Sequence, residues 1–269
     1  MKVCTWNVNK ATKMPNREGV WKYLSEVDAD IVFLQEVNSI PSYIADKYTI
    51  LKRKAITKND TLQHFSTAVL VKGSIKEEIE LKSKYEWVNK ELKRFNGNLI
   101  AAKVVLDIGY EANIVSVYSP AWFIDKSRWE DKDYINVKLE NNPELWVTEI
   151  LYASLLNENI ENDSWIIGGD LNSSLTFDNY SSKLFQGNFE IQNRMKALGF
   201  VECLNTFNND IVPTFKNPKG GEVIHQIDHL FVSKNIYNNI INCKTSKQEE
   251  IFNKSLSDHL SIIAEFDLQ

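Results

Sequence analysis

Residues 164–172 have the sequence Ser-Trp-Ile-Ile-Gly-Gly-Asp-Leu-Asn, which joins an apolar run to a polar turn. The run that begins at Trp165 is typical of a strand buried on both faces. The two glycines that follow let the backbone turn tightly and let a ligand approach it closely. Asp170 and Asn172 are therefore expected at the mouth of a rigid sheet, where a buried carboxylate needs a cation or a proton beside it.

A second stretch has the same layout. Residues 30–38, Asp-Ile-Val-Phe-Leu-Gln-Glu-Val-Asn, also form a predicted buried strand, and it ends in Glu36 with Asn38 two positions on. Taken alone, Gly-Asp-x-Asn fits an ordinary Asp/Asn turn as well as it fits a functional site. Two such strand ends that converge would make a site, so the repeat favours the functional interpretation.

Composition indicates an ordinary globular chain. The protein has 269 residues, of which 43% are hydrophobic and 25% are charged, as is usual for a soluble domain. We find no linker, no low-complexity segment and no break in composition, and we therefore predict a single domain over residues 1–269. The formal net charge of −5 argues against binding nucleic acid through a global positive field, but it leaves room for a local basic groove.

Cysteine usage and apolar run lengths bear on the compartment. Cys4, Cys203 and Cys243 are widely spaced among apolar residues, which favours buried thiols over a disulfide framework or a zinc site. The N-terminus enters a strand pattern without a signal core, and no apolar run approaches the roughly 20 residues that a membrane span needs. We expect a cytoplasmic, monomeric protein that does not associate with membranes.

The order of predicted elements indicates a mixed α/β fold. A strand at 3–8, an amphipathic helix at 17–27 and a strand at 31–35 open the chain, and this order does not suit an all-β sandwich. Further on, we predict a strand pair at 99–106 and 113–118 and a helix at 143–158. The lysine- and glutamate-rich residues 72–93 are interpreted as a solvated loop with an edge strand.

Polar clusters stand at the predicted strand ends. They are Trp6-Asn7-Val8-Asn9, Gln35-Glu36, Gly169-Asp170-Leu171-Asn172, Gln226-Ile227-Asp228-His229 and Ser257-Asp258-His259. Carboxylates and carboxamides with one well-placed histidine are hard ligands, which suit Mg²⁺ or Mn²⁺ and do not suit a thiolate or histidine-rich zinc site. A cation held in this way, with an Asp/His pair nearby, suits the attack of water on a phosphate ester.

These motifs, together with Tyr118-Ser119-Pro120 in the middle of the chain, follow the order found in the endonuclease/exonuclease/phosphatase superfamily. The resemblance runs from residue 6 to residue 259 and so covers nearly the whole chain. It implies the DNase I-like fold, a four-layer α-β-β-α sandwich in which two mixed β-sheets pack face to face with helices outside.

The resemblance also implies roles for individual residues. Asn7, Glu36 and Asp258 correspond to metal ligands, with Asn9 near them. Asp170 corresponds to the residue that orients or deprotonates the attacking water, and Asn172 beside it holds the phosphate or the water. His259 corresponds to the imidazole that binds the phosphate and stabilises the transition state. Asp228 then hydrogen-bonds the far nitrogen of that imidazole, and Tyr118 reaches the phosphate.

Several aromatic and histidine residues have two interpretations. Tyr118 alone would fit a core tyrosine with a satisfied hydroxyl. Trp122, Phe123 and Trp129 either stack on bases at the rim of the cleft or pack within their own loop. His225 either lines the cleft or is structural.

The substrate is the least determined property. The superfamily's inositol-phosphatase branch carries Trp-Cys-Asp-Arg where residues 225–228 are His-Gln-Ile-Asp, and its AP endonucleases carry Gly-Leu-Arg where residues 10–12 are Lys-Ala-Thr. We predict a Mg²⁺- or Mn²⁺-dependent phosphodiester hydrolase acting as a nuclease on DNA or RNA. Lys10, Lys13 and Arg17 would meet backbone phosphates. The alternatives are a phosphatase or phosphodiesterase acting on a small-molecule, nucleotide or lipid phosphate, and a catalytically silent binding module.

Overall fold

A computed structural model describes residues 1–9, 16–217 and 219–268, with the backbone alone at 16 and 17. Its strands are β1 (Lys2–Asn7), β2 (Ile31–Val37), β3 (Thr49–Ile56), β4 (Leu62–Val71), β5 (Gly73–Glu78), β6 (Leu99–Leu106), β7 (Glu111–Tyr118), β8 (Trp165–Asp170), β9 (Phe200–Glu202), β10 (Asp228–Ser233), β11 (Ile240–Thr245) and β12 (Ile262–Phe266). Its helices are α1 (Asn16–Val27), α2 (Ser42–Ala45), α3 (Glu86–Arg94), α4 (Val147–Leu155), α5 (Asn188–Ala197), α6 (Cys203–Asn208), α7 (Lys234–Tyr237) and α8 (Gln248–Ile251).

The strands form two mixed six-stranded sheets. The first has the order β11-β12-β1-β2-β4-β3 and the second the order β5-β6-β7-β8-β10-β9. Each sheet has one parallel pair near its centre, β1 with β2 and β7 with β8, and the other pairs are antiparallel. Because a parallel pair needs a long crossover, α1 connects β1 to β2, and a segment that contains α4 connects β7 to β8.

Apolar side chains form three layers around these sheets. Between the sheets, Phe33 of β2 belongs to the same core cluster as Ile166 of β8. Trp21 of α1 packs on the outer face of the first sheet, and Ile150 of α4 packs on the outer face of the second. The predicted four-layer α-β-β-α sandwich is confirmed, and burial of both faces of the central strands supplies its main driving force.

The two glycines of β8 are required by close packing. A Cβ atom on Gly168 would lie 2.5 Å from the Phe33 ring of the opposite sheet. A Cβ atom on Gly169 would lie 1.9 Å from the carbonyl oxygen of Val117 in the neighbouring strand. Any larger residue would therefore push the sheets or strands apart, and the end of β8 that carries Asp170 would move with them.

Residues 72–93 differ from their sequence prediction. They contain the edge strand β5, as predicted, but also most of α3, in a part that was interpreted as solvated loop. Trp87, Val88 and Leu92 of α3 are buried on the outer face of the second sheet, while Lys90 and Lys93 lie on the other side. The density of charged residues hides this apolar stripe in the sequence. Among the helices that the structure describes, none has both the length and the apolar character needed to cross a bilayer.

Candidate active site

The polar strand ends converge at one edge of the stacked sheets. Asn7 ends β1 and Asp170 ends β8, so each stands at the carboxyl end of the parallel pair in its own sheet. Stacking of the sheets brings them together, and the side-chain amide of Asn7 donates a hydrogen bond to Asp170 Oδ2 across 3.0 Å. Both side chains are buried.

The strand ends of β1 and β8 have the same backbone turn. The backbone N–H of Asn9 donates to Asn7 Oδ1 across 3.0 Å, and the backbone N–H of Asn172 donates to Asp170 Oδ1 across 2.9 Å. Asn9 and Asn172 both adopt the left-handed conformation, with φ of 47° and 48°, which asparagine tolerates better than most residues. The structural counterpart of 170–172 is therefore 7–9, and not the stretch that contains Glu36 and Asn38, which the sequence repeat had suggested.

Glu36 reaches the same edge through an irregularity in β2. It has a φ of 53°, and the pairing of β2 with β4 shifts register between Leu34 and Val37, as in a β-bulge. The Tyr118 hydroxyl donates to Glu36 Oε1 across 3.3 Å. Burial, followed by the negative charges of Glu36 and Asp170, raises the pKa of Tyr118, so the hydroxyl keeps its proton.

His259 and Asp228 form a buried pair. Asp228 begins β10 in register with Asp170, and its Oδ2 accepts hydrogen bonds from His259 Nδ1 across 2.9 Å and from the Thr214 hydroxyl across 2.7 Å. A carboxylate on Nδ1 fixes a proton there and leaves Nε2 for a ligand. Asp258 Oδ1 lies 3.8 Å from His259 Nε2.

The segment that carries His259 is tied to the end of β1. The Ser257 hydroxyl donates to the backbone carbonyl of Asn7 across 2.7 Å, and it accepts the backbone N–H of His259 across 3.0 Å. The Trp6 indole N–H donates to the carbonyl of His259 across 2.8 Å. These bonds fix the backbone of His259 against the end of β1.

The pKa values of Asp170 and His259 suit acid–base chemistry. Burial disfavours the ionised form of Asp170; the nearby His259 charge opposes this and the Asp228 charge adds to it, so that the pKa of Asp170 is raised to about 7. Burial alone would lower the pKa of His259, but the charge and hydrogen bond of Asp228, with further help from Asp170 and Asp258, raise it to about 10. Near neutral pH the site therefore combines an imidazolium with a carboxyl group that titrates.

The donor set fits a hard divalent cation. Ligand atoms of Asp170, Asp228 and His259 lie within 4.8 Å of one another, in a group of the kind that could hold a metal ion. Asp228 Oδ1 is buried and has no hydrogen-bond partner among the described residues. Asn7, which bonds Asp170, and Asp258, beside His259, add oxygen donors to this edge. Because the donors other than the charged imidazole are all oxygens, they match Mg²⁺ or Mn²⁺ in type.

The structure separates the alternatives for the loop aromatics. Trp129 is buried at 3% exposure and donates its indole N–H to the carbonyl of Ile124, so it packs within its own loop and the base-stacking interpretation is wrong for it. Trp122 is half-buried, with its ring 5.7 Å from that of Phe95. His225 lies between the Thr176 and Tyr180 hydroxyls. Lys10 and Lys13 lie outside the described residues, as does the Arg17 side chain.

Two features of the site were missed from the sequence. Thr214 holds Asp228, and the ring of Phe215 lies 5.0 Å from the ring of His259. Beside them is a cavity of about 300 Å³ that Asn172 and Phe215 help to line. Nothing local in the dipeptide 214–215 indicates contact with residues 228 or 259.

The fold and the polar strand ends agree with a family assignment that the sequence supplies. The profile of the Endonuclease/Exonuclease/phosphatase family matches residues 4–259. The chain therefore belongs to this family, whose named activities are hydrolyses of phosphate esters. The predicted superfamily membership is confirmed. A search of curated protein sequences found no match.

Several solved structures have the same fold. An AP endonuclease from Archaeoglobus fulgidus is 18% identical, with a TM-score of 0.71 and full coverage of both chains. The 3′ phosphatase NExo from Neisseria, bound to a product DNA hairpin, is 17% identical, with a TM-score of 0.68 and full coverage of both chains. The catalytic domain of Xenopus laevis APE2 is 17% identical, with a TM-score of 0.67, and the alignment covers 99% of this chain and 91% of that one. At these identities the likeness establishes the fold.

Proposed function

We propose that this single-domain protein is a divalent-metal-dependent phosphodiester hydrolase that acts as a nuclease. The observation that carries the proposal is the buried meeting of Asp170 with the Asp228–His259 pair. It combines a carboxyl group whose pKa is near neutrality with an imidazole that stays positively charged. A base for water and a cation for the phosphate are the two groups that phosphoester hydrolysis needs.

The metal ligands in this proposal are Asn7, Glu36 and Asp258. Asn7 is hydrogen-bonded to Asp170, Asp258 Oδ1 lies 3.8 Å from His259 Nε2, and Glu36 accepts a hydrogen bond from Tyr118. Asp228 and His259 are already hydrogen-bonded to each other across 2.9 Å. A bound Mg²⁺ or Mn²⁺ would supply Lewis-acid polarisation of the phosphate. Since these residues contribute no thiolate, zinc of the structural type does not fit them.

The protein's own residues have distinct tasks in this reaction. Asp170 accepts the proton of the attacking water, and Asn172 keeps the Asp170 carboxylate in place through its backbone N–H. The water oxygen forms a bond to phosphorus while the bond to the leaving oxygen breaks, and that oxygen departs with the bonding electron pair and takes up a proton from solvent. His259, held by Asp228, places a positive charge on the phosphate oxygens as negative charge develops there. Tyr118 contributes a protonated hydroxyl next to Glu36.

A nucleic-acid substrate is supported by lysines on the β3–β4 hairpin. Lys52, Lys54 and Lys58 are exposed, and no carboxylate among the described residues forms an ion pair with them. Lys52 Nζ donates to the carbonyl of Asn38, two residues after Glu36. Lys54 pairs with Ser66, which pairs with Val37, so its backbone lies roughly 10 Å from Val37 at the usual strand spacing. Lysines at this distance suit the phosphates that flank a cleaved one.

An activity panel in Mn²⁺ tests the proposal. Single- and double-stranded DNA, an abasic duplex, RNA, bis-p-nitrophenyl phosphate, p-nitrophenyl phosphate and phosphoinositides should be compared side by side. We expect turnover of nucleic acids. Turnover of a monoester or a phosphoinositide, with every nucleic acid intact, would replace the nuclease with the phosphatase alternative, for which the fold shared with the 3′ phosphatase NExo is the favouring observation.

Calorimetric titration with Mn²⁺ tests the metal site separately. Glu36→Gln removes a ligand charge and should weaken metal binding strongly in a folded protein. Glu26→Gln, on the exposed face of α1, is the matched control and should bind the metal as the wild type does. Equal affinity in all three proteins would place the metal elsewhere.

A further inference from the structure

Asn98 is a fully buried side chain that bonds backbone groups of both sheets. It stands immediately before β6 and has no exposed surface. Its Oδ1 accepts the backbone N–H of Ile56, the last residue of β3 in the first sheet, across 3.0 Å. Its Nδ2 donates to the backbone carbonyl of Tyr118, the last residue of β7 in the second sheet, across 3.1 Å. One amide therefore connects the two sheets at the edge that carries the polar strand ends.

The turn between α3 and β6 lies directly against β3. The backbone N–H of Asn98 donates to the carbonyl of Phe95 across 2.8 Å, which closes the turn. A Cβ atom on Gly97 would lie 1.8 Å from the carbonyl oxygen of Lys54, so a larger residue would push the turn away from β3. This close approach brings the Asn98 amide within reach of Ile56, two residues after Lys54.

Tyr118 reaches from the second sheet into the first. Asn98 holds its backbone at two points, because the N–H of Tyr118 also donates to the Asn98 carbonyl across 2.8 Å. The Tyr118 ring packs with Ala55 and Phe65 of the first sheet, and its centroid lies 5.3 Å from that of Phe65. Its hydroxyl donates to Glu36 across 3.3 Å. The position of the hydroxyl therefore depends on where β7 and the β3–β4 hairpin stand relative to each other.

We propose that Asn98 is a positioning residue, which sets the Tyr118 hydroxyl against Glu36 by bonding both of the strands that decide its place. The inference rests on the proposed hydrolase function and adds to it a residue that does not itself take part in the reaction. Without the amide, the backbone groups of Ile56 and Tyr118 would lose buried bonds and shift towards new partners. A displacement of about 1 Å can lower a rate by up to about 10²-fold.

Two substrates separate an effect on Tyr118 from an effect on the lysines of the hairpin. Lys52 and Lys54 belong to β3, the strand that Asn98 holds. Bis-p-nitrophenyl phosphate is a diester without flanking phosphates, whereas single-stranded DNA has them. An effect through Tyr118 lowers kcat by the same factor with both substrates. Displaced lysines would instead raise the KM for DNA alone.

Two variants of Asn98 and one matched control test the inference. Asn98→Leu removes both side-chain hydrogen bonds at similar volume, and Asn98→Ser is the milder change in case leucine prevents folding. Asn89→Leu is the control. Asn89 in α3 makes the same two kinds of bond, accepting the backbone N–H of Ser83 across 2.8 Å and donating to the carbonyl of Ser83 across 3.0 Å. Among the described residues, none of its hydrogen bonds reaches β3 or Tyr118.

Steady-state kinetics in Mn²⁺ give the first result. Asn98→Leu and Asn98→Ser should lower kcat about tenfold with both substrates and leave each KM within about twofold of the wild type. Asn89→Leu should keep kcat within about twofold. An unchanged kcat in the folded Asn98 variants, a loss confined to the KM for DNA, or an equal loss in Asn89→Leu would overturn the inference.

A double-mutant cycle with Tyr118→Phe distinguishes positioning from a general loss of structure. Tyr118→Phe removes the hydroxyl that Asn98 sets in place, and by itself it should lower kcat by about tenfold or more. In that background Asn98→Leu should cost less than about twofold in kcat, because residues that act as a unit are not additive. Two full losses that multiply would show that Asn98 acts elsewhere, and the inference would fall.

Thermal unfolding of the same four proteins separates this inference from the proposed function, since it needs no activity. Tyr118→Phe should lower the Tm of the wild type by about 3 °C, the shift expected for one hydrogen bond in a chain of this size. It should lower the Tm of Asn98→Leu by less than about 1 °C, because the bond to Glu36 is already weakened there. If no phosphate ester is turned over but this coupling is seen, the hydrolase proposal fails and the link from Asn98 to Tyr118 stands. Equal Tm changes in both backgrounds would overturn the link.

Discussion

The ends of β1 and β8 are built alike and carry different chemistry. Each strand has a parallel neighbour on one side and an antiparallel neighbour on the other. Each is followed by a turn in which an asparagine at φ near 47° donates its backbone N–H to the side chain two residues before. That side chain is a neutral amide in Asn7 and an acid in Asp170.

This difference shows that the backbone supplies position while the side chain supplies charge. Asn7 donates to Asp170 across 3.0 Å, whereas an acid at both positions would place two carboxylates side by side. Like charges so close cannot both ionise near neutral pH, and one would keep a proton. The neutral Asn7 therefore leaves Asp170 able to ionise, as its proposed role as a base requires.

Removal of the acid should have the largest effect on catalysis. We expect Asp170→Asn to lower kcat by at least about 10²-fold, since the general base is lost while the turn remains. Steady-state kinetics in saturating Mn²⁺ measure this, with circular dichroism and thermal unfolding to show that the variant is folded. A kcat within a few-fold of the wild type in a folded variant would remove Asp170 from the reaction.

The Asp228–His259 pair joins the two halves, because His259 stands next to β1 and Asp228 next to β8. His259→Ala should lower kcat by about 10²-fold, and Asp228→Asn by less, because it only misorients the imidazole and weakens its charge. The double variant should lose little more than His259→Ala does. Multiplicative losses in this double-mutant cycle would show that the two residues act separately.

A carboxylate at both strand ends should shift the pH dependence of the reaction rate. In the wild type, the rate should rise through about pH 7 as Asp170 loses its proton, and fall near pH 10 as His259 loses its own. Asn7→Asp adds a negative charge beside Asp170, which raises its pKa further and shifts the rising limb by about one unit or more. The rate deficit at pH 7 should be about tenfold and shrink at pH 9. A uniform deficit at every pH would show that the added charge does not act through the pKa of Asp170.

The smallest effect should come from the two turn asparagines. The Asn172 amide also donates to the carbonyl of Ser119 across 2.6 Å, so Asn172→Gly should lower the free energy of unfolding by about 1 kcal/mol, the usual net value of a hydrogen bond. Asn9→Gly keeps its φ without strain and should change the free energy by less than about 0.5 kcal/mol. Urea titration measures both. Equal changes would mean that the Asn172 amide bond to Ser119 adds nothing.

Local sequence patterns predicted the central strands of both sheets together with α1 and α4, and they failed where charge masked periodicity. The strand-helix-strand opening and the buried run of β8 follow from apolar spacing, which burial on both faces of a central strand imposes. α3 was missed because only Trp87, Val88 and Leu92 face the core, among lysines and glutamates on the solvent side. Base stacking by Trp129 was predicted wrongly because its neighbours in the sequence are polar, although the ring itself is buried.

By itself, the sequence determined the motifs, their order and the family, because these depend on residues close together in the chain. Only the tertiary structure decided that Asn7 meets Asp170 and that Tyr118 meets Glu36, whereas the resemblance had already implied the pairing of Asp228 with His259. It also showed that 7–9, and not the stretch around Glu36, mirrors 170–172, and that Phe215 and Asn172 open onto an uncharged cavity. The physical reason is that these contacts join residues far apart in sequence, and the stacking of two sheets, which no local pattern encodes, sets their geometry.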